Sequence, residues 1–157
     1  MESNKTETDK KRLLLSLSFV LCHLTFSVAQ TGLRINDLFE GRIIQRERMV
    51  ETRVRGRTLA KYQLTFYRSL RFSASTEEVA RLRRIIDEDG RGHHATGTEV
   101  GQSYTIHIQL SPQGGKNRFL CYQDVFEGKK KPCEVMVIYM EGSISDINKL
   151  EEIINKK

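Results

Sequence analysis

The sequence has little cysteine, little proline and no tryptophan. Its 157 residues include three cysteines and two prolines. With so few cysteines the fold cannot depend on many disulfides, and the chain is long enough to build a hydrophobic core instead. Internal repeats, low-complexity tracts and proline-rich linkers are also missing. These absences predict a single globular domain after any leader is removed.

Motifs of the common enzyme and metal-binding classes are missing as well. The sequence has no Gly-x-Ser-x-Gly, no His-Glu-x-x-His and no glycine-rich phosphate loop. The adjacent His93 and His94 have no third ligand spaced to complete a metal site. The acidic run that starts at Asp87 resembles a calcium loop, but Thr98 stands where the twelfth-position carboxylate is needed. We therefore expect a non-enzymatic protein without a metal or other cofactor.

The one long hydrophobic run lies near the amino terminus. Basic residues occupy positions 10–12, an apolar run covers 13–26, and the small residues Ser27 and Ala29 follow. This layout predicts a secretory signal peptide over 1–29, cleaved after Ala29, and a secreted, extracellular domain over 30–157 without a stable membrane span. The alternative is a retained anchor, but the run is interrupted by polar residues and falls short of the ~20 apolar residues of a spanning helix.

Cleavage would leave Cys121 and Cys133 as the cysteines of the mature chain. In an oxidising compartment the default expectation is that they pair. Such a bridge would contribute about 3 kcal/mol on the chain-entropy model. The spacing is not Cys-x-x-Cys, and two cysteines alone cannot complete a zinc site, so we predict a structural disulfide.

Positive charge is concentrated in one stretch. Between Arg42 and Arg71 there are nine basic residues and two acids, Glu47 and Glu51. Such a stretch attracts polyanions, which outside a cell are sulfated glycans or acidic membrane surfaces rather than nucleic acid. The alternative is a solvated strand face that only keeps the protein soluble. The cations predicted to contact a glycan are Arg46, Arg48, Arg53, Arg55, Arg57, Lys129, Lys130 and Lys131.

The first half of the chain predicts two strands and a helix. One strand opens over 39–44 and continues over 50–54, and the turn that follows uses Gly56. Alternation of apolar and polar residues over 60–67 predicts a half-buried antiparallel strand. The sequence from Ser75 to Glu78 is a capping box, and an apolar stripe at helical spacing follows it up to Gly90. Residues 89–97 are predicted to form a loop.

The second half predicts three strands and a terminal helix. Strands are expected over 104–110, 119–126 and 134–140, with a hairpin loop over 112–117. The third of these is apolar on both faces, which favours a central position. Ser145 is predicted to cap a helix at the carboxyl end. The fold class is therefore α+β: a mostly antiparallel sheet or a partly open barrel, with one inserted helix and one carboxyl-terminal helix.

Three short segments, in this order along the chain, resemble netrin-like domains, the family that includes tissue inhibitors of metalloproteinases. They are Phe39-Glu40-Gly41-Arg42-Ile43, Ala60-Lys61-Tyr62-Gln63-Leu64 and Gly101-Gln102-Ser103-Tyr104-Thr105-Ile106. The resemblance implies a five-stranded barrel of the oligonucleotide/oligosaccharide-binding type, whose faces and loops serve as binding surfaces. The amino-terminal Cys-x-Cys of the metalloproteinase inhibitors is not found after Ala29, so zinc chelation by that route is not implied.

A second resemblance is to cystatins, which carry a glycine-containing hairpin before a Tyr-x-Ile strand, as Val100-Gly101 precedes Tyr104-Thr105-Ile106 here. It implies protease inhibition as the alternative function. We predict a secreted, non-enzymatic binding module that engages an extracellular protein or a sulfated glycan, with a cystatin-like or netrin-like protease inhibitor as the alternative.

Overall fold

The computed structural model describes residues 32–126 and 132–149. The predicted signal peptide, Lys129, Lys130 and Lys131, and all but the start of the predicted terminal helix lie outside the described residues.

Two complete helices and six strands follow one another within these residues, together with two 3-10 helices, Arg46–Arg48 and Gly56–Tyr62, and the start of a further helix at Ile147. The helices are α1 (Asn36–Phe39) and α2 (Thr76–Gly90). The strands are β1 (Val50–Arg55), β2 (Leu64–Ala74), β3 (His94–Val100), β4 (Ser103–Gln113), β5 (Lys116–Val125) and β6 (Cys133–Gly142).

The six strands form one antiparallel sheet in the order β1-β2-β6-β5-β4-β3. All neighbouring pairs are antiparallel, and α2 connects β2 to the far end of the sheet. This confirms the α+β class with a mostly antiparallel sheet and an inserted helix. The sheet is not closed, because β1 and β3 lie at its two ends. The central position predicted for β6 is confirmed, since β6 lies between β2 and β5.

The capping box predicted at the start of α2 is confirmed. The backbone N–H of Glu78 donates to the Ser75 hydroxyl over 3.2 Å, and the Ser75 N–H donates to the Glu78 carboxylate over 2.9 Å. These bonds satisfy backbone donors that the first turn of a helix leaves unpaired. The apolar stripe of α2 then faces the sheet, where Leu82 and Ile86 are fully buried.

The segment before β1 differs from the prediction of a strand over 39–44. It forms α1 and a series of turns instead, although its apolar side chains still enter the core. Asp89, near the end of α2, holds this segment in place: its carboxylate accepts hydrogen bonds from the backbone N–H groups of Arg34 (2.8 Å) and Ile35 (2.9 Å). Burial raises the pKa of Asp89, and the two N–H donors oppose that change.

The connection from β1 to β2 is also more compact than predicted. Gly56 has a φ of +81°, which confirms the predicted turn, but residues 60–63 belong to the end of a 3-10 helix and its cap rather than to a strand. A β-bulge between Leu64 and Phe66 then turns these two side chains toward opposite faces of the sheet. The regular alternation of β2 starts only after this bulge.

The two hairpins of the second half are tighter than predicted. Residues 94–97, predicted as loop, belong to the edge strand β3, whose residues are all exposed. The turn between β4 and β5 is closed by pairing of Gln113 with Lys116, so most of the predicted loop is strand. At the carboxyl end the helix begins at Ile147, and Asp146 rather than Ser145 caps it, since its carboxylate accepts from the Lys149 N–H over 2.9 Å.

Each face of the sheet carries its own hydrophobic cluster. The cluster under α1 and α2 includes Leu70, Ile108, Leu120, Val137 and Tyr139. The opposite face carries a smaller cluster, formed by the side chains of Leu59, Leu64, Phe119, Cys121, Met140, Ile144 and Ile147.

The sheet does not bring the two predicted disulfide partners together. Cys121 and Cys133 are both buried, and they are not bonded to each other in this structure. Cys121 pairs with Ile138 across β5 and β6, five positions from Cys133, and the two side chains belong to the clusters of opposite faces. A disulfide requires Cα atoms within about 7 Å. A bridge between them would therefore need another register of β5 on β6.

We expect replacement of Gly142 by alanine to destabilise the fold. A Cβ at this position would lie 2.2 Å from the carbonyl oxygen of Gln63, so the backbone of the bulge would have to move. Urea denaturation of Gly142→Ala should show a loss of about 1–3 kcal/mol in the free energy of unfolding. Gly97→Ala is the matched control, because its Cβ would meet its nearest neighbours at 3.6 Å. An equal loss of stability in both variants would contradict the close approach of Gly142 to the backbone of Gln63.

The buried thiols should be detectable chemically. Burial, and then the charge of Asp124, raise the pKa of Cys133 to about 11, so its thiol is protonated and slow to react at neutral pH. In the Cys22→Ser variant, Ellman's reagent should react slowly with the native protein and rapidly with both remaining thiols after unfolding without reductant. An unfolded chain without reactive thiols would show that the predicted disulfide forms.

Candidate functional site

The basic stretch of the sequence lies along one edge of the sheet. Within the described residues β1 has one strand neighbour, β2, and its side chains are mostly exposed. The register pairs Glu51 with Leu70 and Arg53 with Arg68, so the odd-numbered residues of β1 lie on the face that carries α2. Arg53 and Arg55 therefore point to the same side of the sheet.

Glu51 is the one acid of β1, and two arginines share it. Its Oε1 accepts from Arg53 Nη2 over 2.8 Å and from Arg68 Nε over 2.7 Å. Burial alone would raise the pKa of Glu51, but the hydrogen bonds from the two guanidinium groups outweigh it and the pKa is lowered. One carboxylate thus faces two cations, and this cluster keeps a net positive charge.

The positive charge continues past the end of β1. The guanidinium carbon of Arg55 lies 4.7 Å from the centre of the Phe66 ring, and Arg57 is exposed on the 3-10 helix that follows. Lys61 lies 4.7 Å above the Tyr62 ring on the same helix. A guanidinium stacked on a ring keeps its N–H groups in its own plane, parallel to the ring, where they can meet an oxyanion. We call the surface formed by Arg53, Arg55 and Arg57 the basic edge.

The other two predicted arginines are held at the opposite end of β1. Arg48 donates to both oxygens of Glu78, over 2.7 and 3.0 Å, and its charge is balanced there. Arg46 donates from Nε and Nη2 to the carbonyl oxygen of Glu40, over 3.3 Å each. The predicted glycan-binding set is therefore not one patch: the structure groups Arg53, Arg55 and Arg57 and separates Arg46 and Arg48 from them.

The lysines of the predicted set lie outside the described residues, but their neighbours in sequence do not. Phe126 and Pro132 line the same groove as Arg48.

A buried ion pair that the sequence analysis missed joins α2 to the sheet. Arg83 Nε and Nη2 donate to the two oxygens of Asp124 over 2.7 Å each. The same carboxylate accepts from the Tyr122 hydroxyl over 2.9 Å and from the Tyr104 backbone N–H over 3.0 Å. Asp124 has no exposed surface. The available signal was an aspartate inside an otherwise apolar strand, which needs a partner when it is buried.

These contacts make the pair structural in character. Asp124 accepts four hydrogen bonds, which use the acceptor capacity of a carboxylate. Its charge raises the pKa of Arg83 through the hydrogen bond, and burial together with that charge raises the pKa of Tyr122. Arg83 and Tyr122 therefore keep their protons near neutral pH, as an anchor does and an acid–base catalyst does not.

Two open grooves flank the start of α2 and share Thr76 and Phe126. One, of about 390 Å³, lies beside Arg83, and the other, of about 560 Å³, lies beside Arg48 and Cys133. Both arginines are already bound to carboxylates, and the raised pKa of Cys133 keeps its thiol protonated. Within the described residues, these grooves offer shape and hydrogen-bonding groups rather than an activated nucleophile.

The chain matches the profile described as "Family of unknown function (DUF6108)" over residues 22–154. It belongs to this family. The match includes every strand of the sheet, the basic edge and the Arg83–Asp124 pair. No curated protein and no solved structure matched the chain.

Two further observations concern the part of the chain that the structure describes. No helix in it combines the length and hydrophobicity needed to cross a membrane. No three His, Cys, Asp or Glu side chains in these residues lie together in a group that could hold a metal ion.

We expect the Arg83–Asp124 pair to be the most sensitive polar contact of the described fold. Asp124→Asn keeps the shape of the side chain but removes the buried charge that Arg83 contacts and leaves Glu99, at 3.5 Å, as the acid beside it. The change should cost about 3 kcal/mol in the free energy of unfolding. Urea denaturation at neutral pH measures this loss. Glu78→Gln is the matched control, since it removes the partner of exposed Arg48 and keeps an acceptor for the capping box. Equal effects of the two changes would contradict the anchoring role.

Proposed function

We propose that this protein is a secreted, non-enzymatic binding module that engages a sulfated glycan through the basic edge. The observation that carries the proposal is the grouping of Arg53, Arg55 and Arg57 on one exposed edge with a single acid, Glu51, among them. A sulfate group accepts the paired N–H donors of a guanidinium as a carboxylate does, so arginine suits it better than lysine.

The spacing of the charges supports an extended ligand. Arg53 and Arg55 are alternate residues of one strand and therefore lie on the same face, roughly 7 Å apart along it. Arg57 extends the row beyond the strand. A linear polyanion laid along this edge would meet successive cations, whereas a single small anion would need them to converge on one point.

The compartment in this proposal rests on the predicted signal peptide, which lies outside the described residues. Outside a cell, sulfated glycans are the abundant linear polyanions. An acidic extracellular protein is the other kind of partner that this edge would suit, and the same charges would steer it. Protease inhibition, implied by the netrin-like and cystatin-like resemblances, stays a prediction that a stoichiometric protease assay tests directly.

Chromatography on immobilised heparin tests the glycan proposal. The variant Arg53→Ser/Arg55→Ser/Arg57→Ser should elute at lower salt than the wild type, because three contacts to sulfate are lost and the remaining attraction is more easily screened. The matched control is Arg81→Ser/Arg84→Ser/Arg91→Ser, which removes the same charge from exposed positions on and after α2.

The two variants separate a local site from general basicity. If both elute earlier by the same amount, the binding depends only on net charge and the assignment to the basic edge is wrong. If neither the wild type nor the control elutes from heparin at a higher salt concentration than a neutral protein does, a sulfated glycan is not the ligand.

A further inference from the structure

The free side of β1 is an exposed sheet edge. Among the described residues no strand lies beyond it, so alternate backbone N–H and C=O groups along β1 point away from β2. Such an edge can accept another strand by backbone hydrogen bonding. Val50 on this strand is 70% exposed, which is unusual for a large apolar side chain in this structure.

The sequence of β1 is complementary to itself when it is reversed about Thr52. An antiparallel copy centred there places Glu51 opposite Arg53, Val50 opposite Val54, and Thr52 opposite its own equivalent. Residues directly opposite in an antiparallel pair lie on the same face. Each of these pairs is favourable: opposite charges attract, and β-branched residues pack well across strands.

Neighbouring registers lack this complementarity. The smallest shift of one β1 strand along the other that still places residues of the same sheet face opposite each other moves the centre from Thr52 to Glu51 or to Arg53. The first would place two Glu51 carboxylates opposite each other, and the second would place two Arg53 guanidiniums opposite each other. Like charges directly opposite are destabilising, so the charge pattern selects the register centred on Thr52.

The other free edge does not have this property. Reversal of β3 about its central Gly97 places Thr96 opposite Thr98, Ala95 opposite Glu99 and His94 opposite Val100. The threonine pair is favourable, but no pair in this arrangement joins opposite charges or two aliphatic side chains of equal size. The reciprocal charge pairing is therefore found in β1 and not in this arrangement of β3.

We propose that two copies of this chain associate through β1, antiparallel and centred on Thr52, so that the two six-stranded sheets become one continuous sheet. The contact is isologous and closes after two copies, which favours a dimer over a filament. On the α2 face, Glu51 and Arg53 of the two copies alternate in sign across the new strand pair, and each Glu51 keeps its contact with Arg68 of its own chain. On the other face, Val50 of each copy covers Val54 of its partner.

The dimer should be weak, because a single strand pair buries less surface than a standard protein interface. We expect a dissociation constant between about 1 μM and about 1 mM. The inference does not depend on glycan binding, since it uses the backbone edge and the pairing of Glu51 with Arg53.

Disulfide trapping tests the register. In a Cys22→Ser background, Thr52→Cys places two thiols opposite each other on the two-fold axis, at a Cα separation of about 4.5–5.5 Å that a disulfide spans. Mild oxidation should give a covalent dimer on a non-reducing gel. Thr98→Cys, an exposed threonine at the β3 edge, is the matched control. Cross-linking of Thr52→Cys no faster than of Thr98→Cys would overturn the proposal.

Sedimentation equilibrium tests the charge pairing without any new thiol. Arg53→Glu places a carboxylate opposite Glu51 at two symmetric positions, and the dissociation constant should rise at least about tenfold. Arg91→Glu makes the same charge change at an exposed position away from β1 and should leave the constant unchanged. A wild-type chain that stays monomeric at millimolar concentration, or equal weakening in both variants, would contradict the dimer.

Discussion

The pairing of β2 with β6 is the constraint on which the rest of the structure depends. It joins paired residues that are 59 to 78 positions apart in sequence, and their register runs without interruption from Phe66 to Ala74. Closing so long a loop costs conformational entropy, which burial of Leu70, Phe72, Val135 and Val137 offsets. Because β6 occupies one side of β2, β2 can accept one more strand. The basic segment takes that place, and among the described residues no strand lies beyond it, so it forms an edge.

The elements that the sequence predicted correctly are those whose signals lie within a single segment of the chain. The capping box and apolar stripe of α2 are satisfied within one segment, and the apolar character of β6 on both faces follows from its central position. The segment around Phe39 and Ile44 could not be assigned in this way, since a short apolar stretch fits a strand or a turn equally well. The edge strand β3 has no hydrophobic alternation, because all its residues are exposed, and its strand conformation comes from pairing with β4.

The candidate site follows the same division. Sequence locates the excess of arginine but not the carboxylates that neutralise some of it. Glu78 lies 30 residues from Arg48, and only the fold brings the two together. Likewise Asp124 and Arg83 are 41 residues apart. Sheet register also decides two other outcomes. It leaves Arg53, Arg55 and Arg57 together on an exposed edge, and it separates Cys121 from Cys133. The position of the proposed glycan-binding arginines at the sheet edge therefore depends on the pairing of β2 with β6, two strands to which none of those arginines belongs.

Measurement of interstrand proton contacts by NMR tests this account most directly. The register predicts contacts between the backbone protons of Leu70 and Val137 and between those of Arg68 and Tyr139. If these contacts are absent and β2 instead contacts His94–Val100, the next strand along the chain, then the pairing of β2 with β6, on which this account rests, is wrong.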